Sequence, residues 1–196
     1  MVVLGAKTGN KAAPLKVRKN DLYETPPEAV RALLKAEQLP DIIWEPACGP
    51  GSIVRVLRKT GRQVYATDLV DYDSPDQDQW GWDFLMETQL PLGVQAIVTN
   101  PPFKNGMEFV EKALSICPKV VMLLRLNFIE SDRRSPILDN GTLARVHVFR
   151  NRLPMMHRDG WKGPQSGNSM CFAWFVFDAG HNGPTELHRI SWQREG

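Results

Sequence analysis

The stretch DIIWEPACGPGSIVRVLRKTGRQVYATD, Asp41 to Asp68, decides the fold. Asp41–Glu45 reads as a short apolar strand, and Pro46-Ala-Cys-Gly-Pro-Gly51 as a turn. Ser52 is placed to cap a helix that ends at Gly61, and Gln63–Thr67 forms a second strand with Asp68 at its carboxyl end. Upstream, Thr25-Pro-Pro-Glu28 matches a capping box with proline at the first helical position. It predicts a helix from Pro26 to Gln38 with Val30, Leu33 and Leu34 on one face. Downstream, Gln95–Thr99 is a strand closing on Asn100-Pro-Pro-Phe103, Gly106–Ile116 is helical and Lys119–Leu126 is an apolar strand. Arg145–Phe149 and Cys171–Phe177 have no helical pattern between them and are expected to pair as an antiparallel C-terminal edge hairpin. Strands alternating with helices predict an α/β fold, a doubly wound and mostly parallel sheet.

Composition narrows the class. With 196 residues, 42% apolar and 23% charged, the chain reads as one globular domain rather than a disordered segment. Residues 1–20 form a basic N-terminal arm, expected to be flexible, and 21–196 a single domain. The longest apolar run, Val120–Leu124, stops at Arg125, too short for a membrane span. The N-terminus lacks the apolar stretch of a secretory signal. Cys48, Cys117 and Cys171 are odd in number and widely spaced, and they fit neither a disulfide framework nor a zinc pattern. A cytoplasmic protein with no metal site is the expectation.

A net charge of +2 hides an uneven distribution. Lys7, Lys11, Lys16, Arg18 and Lys19 precede the first acid, Asp21. Asp68, Asp71, Asp73, Asp76, Asp78, Asp83 and Glu87 then follow without an intervening Lys or Arg. Arg133, Arg134, Arg145, Arg150, Arg152, Arg158 and Lys162 make a second basic stretch. Basic flanks around an acidic centre suit a polyanion held by the flanks and a cationic small molecule in the middle; a solvated surface is the alternative.

In doubly wound sheets ligands bind beyond the carboxyl ends of the strands. The turn after Glu45, the acid Asp68 and the tetrapeptide Asn100–Phe103 all follow apolar strands and belong on one edge. Gly49 and Gly51 allow close backbone approach, but the third glycine of a dinucleotide fingerprint is missing. Glu45 disfavours phosphate and favours a cation, while Asp68 suits ribose hydroxyls. S-adenosyl-L-methionine has the ribose, the sulfonium and the ammonium that satisfy both.

Pro101 and Pro102 lock the backbone after the strand, aiming the Asn100 side chain and the Pro101 carbonyl at one point. Two acceptors beside the Phe103 ring describe a receptor for a planar amine. They would favour a more tetrahedral nitrogen on an adenine N6 amine and position it to attack a methyl sulfonium. Phe103 is expected to stack on the extruded base.

Trp44-Glu-Pro-Ala-Cys-Gly-Pro-Gly51 followed by Asn100-Pro-Pro-Phe103 resembles the class I methyltransferases acting on exocyclic amines, which carry a Rossmann-like methyltransferase sheet. The likeness is closest to short phage- and prophage-type DNA adenine-N6 methyltransferases. Asp21-Leu-Tyr-Glu-Thr-Pro-Pro27, Met122-Leu-Leu-Arg-Leu126 and Ser169–Phe177 look like that group's other segments. The resemblance implies that Tyr23 and Thr25 contact the cofactor's methionine part, and that Glu45, Ala47 and Gly49 form the cofactor loop. It further implies that Asp68 holds the ribose, that Asp83 and Phe84 lie beside the cofactor's adenine, and that Asn100, Pro101, Pro102 and Phe103 are catalytic. Asn at the first motif position favours adenine or glutamine over cytosine N4, and no Pro-Cys nucleophile follows the late strands.

Enzymes resembling this motif order usually carry a large target-recognition domain, for which too few residues follow Phe103. Ser131–Asn140 and Leu153–Asn168 are free for recognition; Arg133, Arg152, His157, Arg158, Trp161 and Lys162 are the candidate substrate-binding residues, the last four in a glycine-hinged lid or backbone clamp. The lid's alternative is an ordinary hairpin loop. His147 and His188 read as structural or solvated. The expected partner is nucleic acid, DNA first, with short sequence specificity or a partner that supplies it. RNA adenine, a protein glutamine, or a binding module without turnover are the alternatives.

Overall fold

The computed structural model describes residues 22–155 and 170–192. The basic N-terminal arm and His157, Arg158, Trp161 and Lys162 lie outside them. Eight strands form one sheet: β1 (Ile42–Glu45), β2 (Gln63–Asp68), β3 (Gln79–Trp80), β4 (Ala96–Thr99), β5 (Lys119–Arg125), β6 (Leu143–Phe149), β7 (Phe172–Asp178) and β8 (Glu186–Ile190). Their order is β3-β2-β1-β4-β5-β7-β6-β8. β3 to β5 run parallel, and β7 lies antiparallel to both β5 and β6. The helices are α1 (Pro27–Ala36), α2 (Ser52–Arg58), α3 (Gly106–Ile116) and the short α4 (Ser135–Leu138).

The central strands are buried along almost their whole length because helices cover both faces. Neighbouring residues therefore feed opposite cores. Ile43, Val98, Val121, Leu123, Trp174 and Val176 pack with Ala29, Val30 and Leu33 of α1 and Ile53, Val54 and Leu57 of α2. Trp44, Ile97, Val120, Met122, Phe175 and Phe177 pack with Phe109, Val110 and Ala113 of α3. This is the two-residue strand repeat used on both sides. The Trp174 indole N–H donates to the Ala29 carbonyl (3.0 Å) and pins α1 to β7.

Local details depart from the sequence reading. Thr25 does not cap α1: the N-cap is Pro26, without a side-chain cap, and Glu28 pairs with Arg31 instead. Thr25 is buried on the sheet edge. Ser52 does not cap α2 either. Gly51, at φ +88°, takes the N-cap position, and Ser52 begins the helix, which stops at Arg58 rather than Gly61. The late strands pair antiparallel as expected. They are not the sheet's edge, because β8 adds to β6 in parallel. That strand is exposed at four of its five residues, so it carries no apolar run to announce it.

At the amino-terminal end of β5 the carboxylate of Glu37 is buried beneath three cationic or ring donors. Arg145 grips it with two nitrogens (2.8 and 2.9 Å), Lys119 Nζ reaches it at 3.0 Å and His147 Nε2 at 3.2 Å. Burial alone would raise its pKa; these hydrogen bonds outweigh it and hold the carboxyl well below the ordinary range. Arg145 thus serves the fold, not a polyanion, and His147 is structural. Arg134 likewise lies over the Phe128 ring at 4.6 Å and donates to the Phe128 carbonyl. Among the described residues no helix is long and apolar enough to cross a membrane.

Candidate functional site

β1 has β2 on one side and β4 on the other, so the strand order reverses there. A crevice opens beyond the carboxyl ends of strands at such a point. Here it is a cavity of about 460 Å³ lined by the segments around Tyr23, Glu45–Pro50, Asp68–Val70, Trp82–Leu85 and Asn100–Asn105. Tyr23, Thr25, Glu45, Ala47, Gly49, Asp68, Asp83, Phe84, Asn100, Pro101, Pro102 and Phe103 all lie on its wall. Arg133 and Arg152 do not. Arg133 is exposed, 3.9 Å from Glu108, and Arg152 Nη1 contacts the Cys171 thiol.

The turn after β1 folds as it does because two glycines accept left-handed backbone, φ +53° at Gly49 and +88° at Gly51. A methyl group on Gly51 would collide with the Asp76 side chain. The turn is then tied to β2: Cys48 N–H donates to the Thr67 carbonyl (3.0 Å), and Gly49 N–H to Asp68 Oδ2 (2.9 Å). Asp68 Oδ1 accepts from Val70 N–H (2.9 Å). Both carboxylate oxygens of Asp68 are thus engaged by backbone donors, and the Leu69 N–H adds to those of Gly49 and Val70.

The acidic run is divided by this arrangement. Asp76 pairs with Arg55 (3.0 Å) and Asp78 with Arg58 (2.7 Å), fastening the segment after β2 to α2. Glu45, Asp68 and Asp83 face the cavity. Burial, then the charge of Asp68, push the Glu45 carboxyl well above its usual range. Burial also raises Asp68, against the backbone N–H groups of Val70 and Gly49. The Cys48 thiol is raised by burial and by Glu45 and Asp68, which keeps it from being a nucleophile.

At the end of β4, Asn100 Nδ2 donates to the Tyr23 carbonyl (2.8 Å), while its Oδ1 is buried without a partner. Two more buried polar atoms on the same cavity lack partners: Glu45 Oε2, an acceptor, and Trp82 Nε1, a donor. Phe84 is a core residue, packed edge-on to Trp44 (5.2 Å) and tilted against Phe109 (4.9 Å), with its wall reaching the cavity. Asp83 is exposed and accepts from Leu85 N–H.

Phe103 is not an open face. Tyr23 stacks on it at 4.6 Å, Phe172 tilts against it at 5.7 Å, and the Arg125 guanidinium carbon lies 4.5 Å from its centroid. A planar ligand stacking on this ring would have to displace one of them, a condition that sequence reading did not contain. Trp82 and Arg125 were missed. Arg125 left a signal, a cation closing a buried strand at the site edge; Trp82 stands between Trp80 and Phe84, beside the Asp83-Phe84 pair, and the pattern does not say which of these aromatics offers a polar atom to the cavity.

No protein-family model matches the sequence, and no curated protein matches it. The fold is shared with solved structures at low identity. One is a modification subunit of a proposed type I restriction enzyme from Vibrio vulnificus YJ016, 14% identical, TM-score 0.58, covering 89% of this chain and 48% of that one. Another is a proposed class I S-adenosylmethionine-dependent methyltransferase from Listeria monocytogenes, 14% identical, TM-score 0.55, with 83% and 62% covered. A third is a proposed RNA methyltransferase from Pyrococcus horikoshii, 11% identical, TM-score 0.57, with 87% and 91% covered. The chain spans less than two thirds of the first two. The sheet is thus the Rossmann-like methyltransferase fold, with β7 antiparallel near one end.

Proposed function

We propose that the chain is an S-adenosyl-L-methionine-dependent methyltransferase that modifies the exocyclic N6 amine of adenine in DNA. The observation that carries this reading is Asn100: its amide nitrogen is tied to Tyr23, so a buried, unpartnered oxygen is left on the cavity wall.

The cavity suits the cofactor by the chemistry of its unpartnered atoms. Glu45 Oε2 is an acceptor for a cationic ammonium or sulfonium neighbourhood, Asp68 is a carboxylate held on the cavity wall by backbone donors where a ribose hydroxyl would meet it, and Trp82 Nε1 is a donor for the purine or ribose. When bound, S-adenosyl-L-methionine supplies a methyl group made electrophilic by a cationic sulfur. The protein's part is to hold the amine. Asn100 Oδ1 and the Pro101 carbonyl accept its two N–H bonds, which draws the lone pair out of ring conjugation and points it along one line. Both acceptors are fixed before substrate arrives, Asn100 by Tyr23 and Pro101 by the rigid Pro-Pro backbone. Burial removes competing water from Asn100 Oδ1. No covalent nucleophile is needed, in keeping with the protonated thiol of Cys48.

The basic flanks of the sequence favour a nucleic acid over a protein glutamine without separating DNA from RNA, and DNA is put first on the resemblance of the motif set to DNA adenine-N6 methyltransferases. A partner that supplies target recognition belongs to the same reading. The test is nucleoside mass spectrometry on separate DNA and RNA fractions of a methylation-deficient bacterial host expressing the chain, with Asn100→Ala as control. N6-methyladenine in DNA that depends on Asn100 is the expected result. The same product in RNA alone, or in DNA regardless of Asn100, would overturn the assignment.

A further inference from the structure

Arg125 is an arginine at the target edge of the sheet that has no carboxylate partner among the described residues. It ends β5, beside the end of β4 where Asn100–Phe103 sits, and pairs across the sheet with Phe172. Its guanidinium covers the Phe103 ring at 4.5 Å. Its Nε is sealed from solvent without a hydrogen-bond partner, and no carboxylate pairs with it among the described residues. Arg58, Arg134 and Arg145, by contrast, are each held by carboxylates or carbonyls.

Two groups hold the Phe103 ring most closely, and they differ in how firmly they are fixed. Tyr23 carries its ring on a main chain that is anchored, because its carbonyl receives the Asn100 amide. Among the described residues no hydrogen bond keeps the Arg125 side chain there, so it is the group that can leave. Base stacking on an aromatic ring is comparable in strength to the cation–π contact it would replace, so the exchange is close to balance. A half-buried guanidinium deprived of its ring needs an acceptor. A phosphate matches its charge and its forked donors.

We infer that Arg125 covers Phe103 until a substrate nucleotide enters, and then leaves the ring for a phosphate of that nucleotide's backbone. The inference rests on the amine-site reading of Asn100–Phe103 and narrows its substrate to a polynucleotide strand. A glutamine side chain offers the planar amide but no phosphate.

The test compares an oligo(dA) strand with an abasic strand of equal length and charge, binding each to the full chain saturated with S-adenosylhomocysteine over a range of salt. Only the strand with bases can displace Arg125. The log–log salt slope of the wild type is therefore expected to be steeper on oligo(dA) by about 0.7, the increment for one phosphate on a single strand. Arg125→Gln should give the same slope on both strands, and Arg125→Lys should keep the difference. Equal slopes for the wild type, or a difference that persists in Arg125→Gln, would overturn the inference. If Arg125→Gln fails to bind S-adenosylhomocysteine, and so to fold, Arg125→Lys carries the test, and loss of the difference there overturns it. Failure of the underlying reading looks different: Asn100→Ala would retain methyl transfer.

Discussion

The side-chain amide of Asn100 donates to the backbone carbonyl of Tyr23 at 2.8 Å, across 77 residues of sequence. The contact joins the segment before α1 to the end of β4. It also decides which end of the amide faces outward, since the nitrogen is used and the oxygen is left. Because the acceptor is a main-chain atom, changing the Tyr23 side chain leaves this bond in place and removes only the stack on Phe103.

Asn100→Ala removes the acceptor, and with it the bond to the Tyr23 carbonyl, while leaving the Glu45 and Asp68 side of the cavity in place. Methyl transfer should fall by about 100-fold or more, the usual effect of losing one preorganised polar contact to the reacting group. Affinity for S-adenosylmethionine should stay within a few-fold. Steady-state kinetics beside equilibrium dialysis separates the two, and an equal loss of both would sink the role given to Asn100.

Asp68→Ala should do the reverse, mainly weakening cofactor binding. The same substitution also frees the N–H groups of Gly49 and Val70, so the melting temperature should drop as well. Thermal unfolding with and without S-adenosylmethionine measures both effects. A variant that melts lower yet binds the cofactor at full affinity would leave Asp68 only its part in the turn.

Glu45 supplies a pH test. Its carboxyl is raised well above the usual range by burial and by Asp68, and a cationic ligand favours the ionised form. Binding must therefore expel a proton, so affinity should increase as the pH rises above the ordinary carboxylate range, and Glu45→Gln should flatten the dependence. Titration calorimetry at several pH values reads this directly. A pH-independent affinity in the wild type would remove Glu45 from the cation site.

Glu37 makes the opposite prediction for stability. Hydrogen bonds from His147, Arg145 and Lys119 hold its carboxyl below the ordinary value of 4.5, against the effect of burial. Its stabilisation is therefore complete above that value and lost as the pH falls below it. Glu37→Gln leaves two partly buried cations, Lys119 and Arg145, without their carboxylate and should cost about 3 kcal/mol or less at neutral pH while flattening the acid limb. Urea unfolding from neutral to acid pH checks both; wild-type-like curves would show the cluster to be energetically idle.

The parallel half of the sheet, the glycine turn after β1 and the places of Glu45, Asp68 and Asn100 were legible in the sequence because their signals are local. Apolar runs, a proline pair and glycines act within a few residues of where they stand. Those same signals misplaced the caps of α1 and α2, where Pro26 and left-handed Gly51 took positions read for Thr25 and Ser52. What tertiary structure alone decided are the contacts between distant segments. Tyr23 orients Asn100, Arg125 closes over Phe103, Trp82 turns an unpaired N–H to the cavity, and Glu37 gathers Lys119, Arg145 and His147. β8 belongs with them, since an exposed strand is defined by the backbone it pairs with and not by its side chains. Local pattern places a residue on a strand or a turn; which atoms are left unsatisfied there, and so free for chemistry, depends on what the rest of the chain brings beside it.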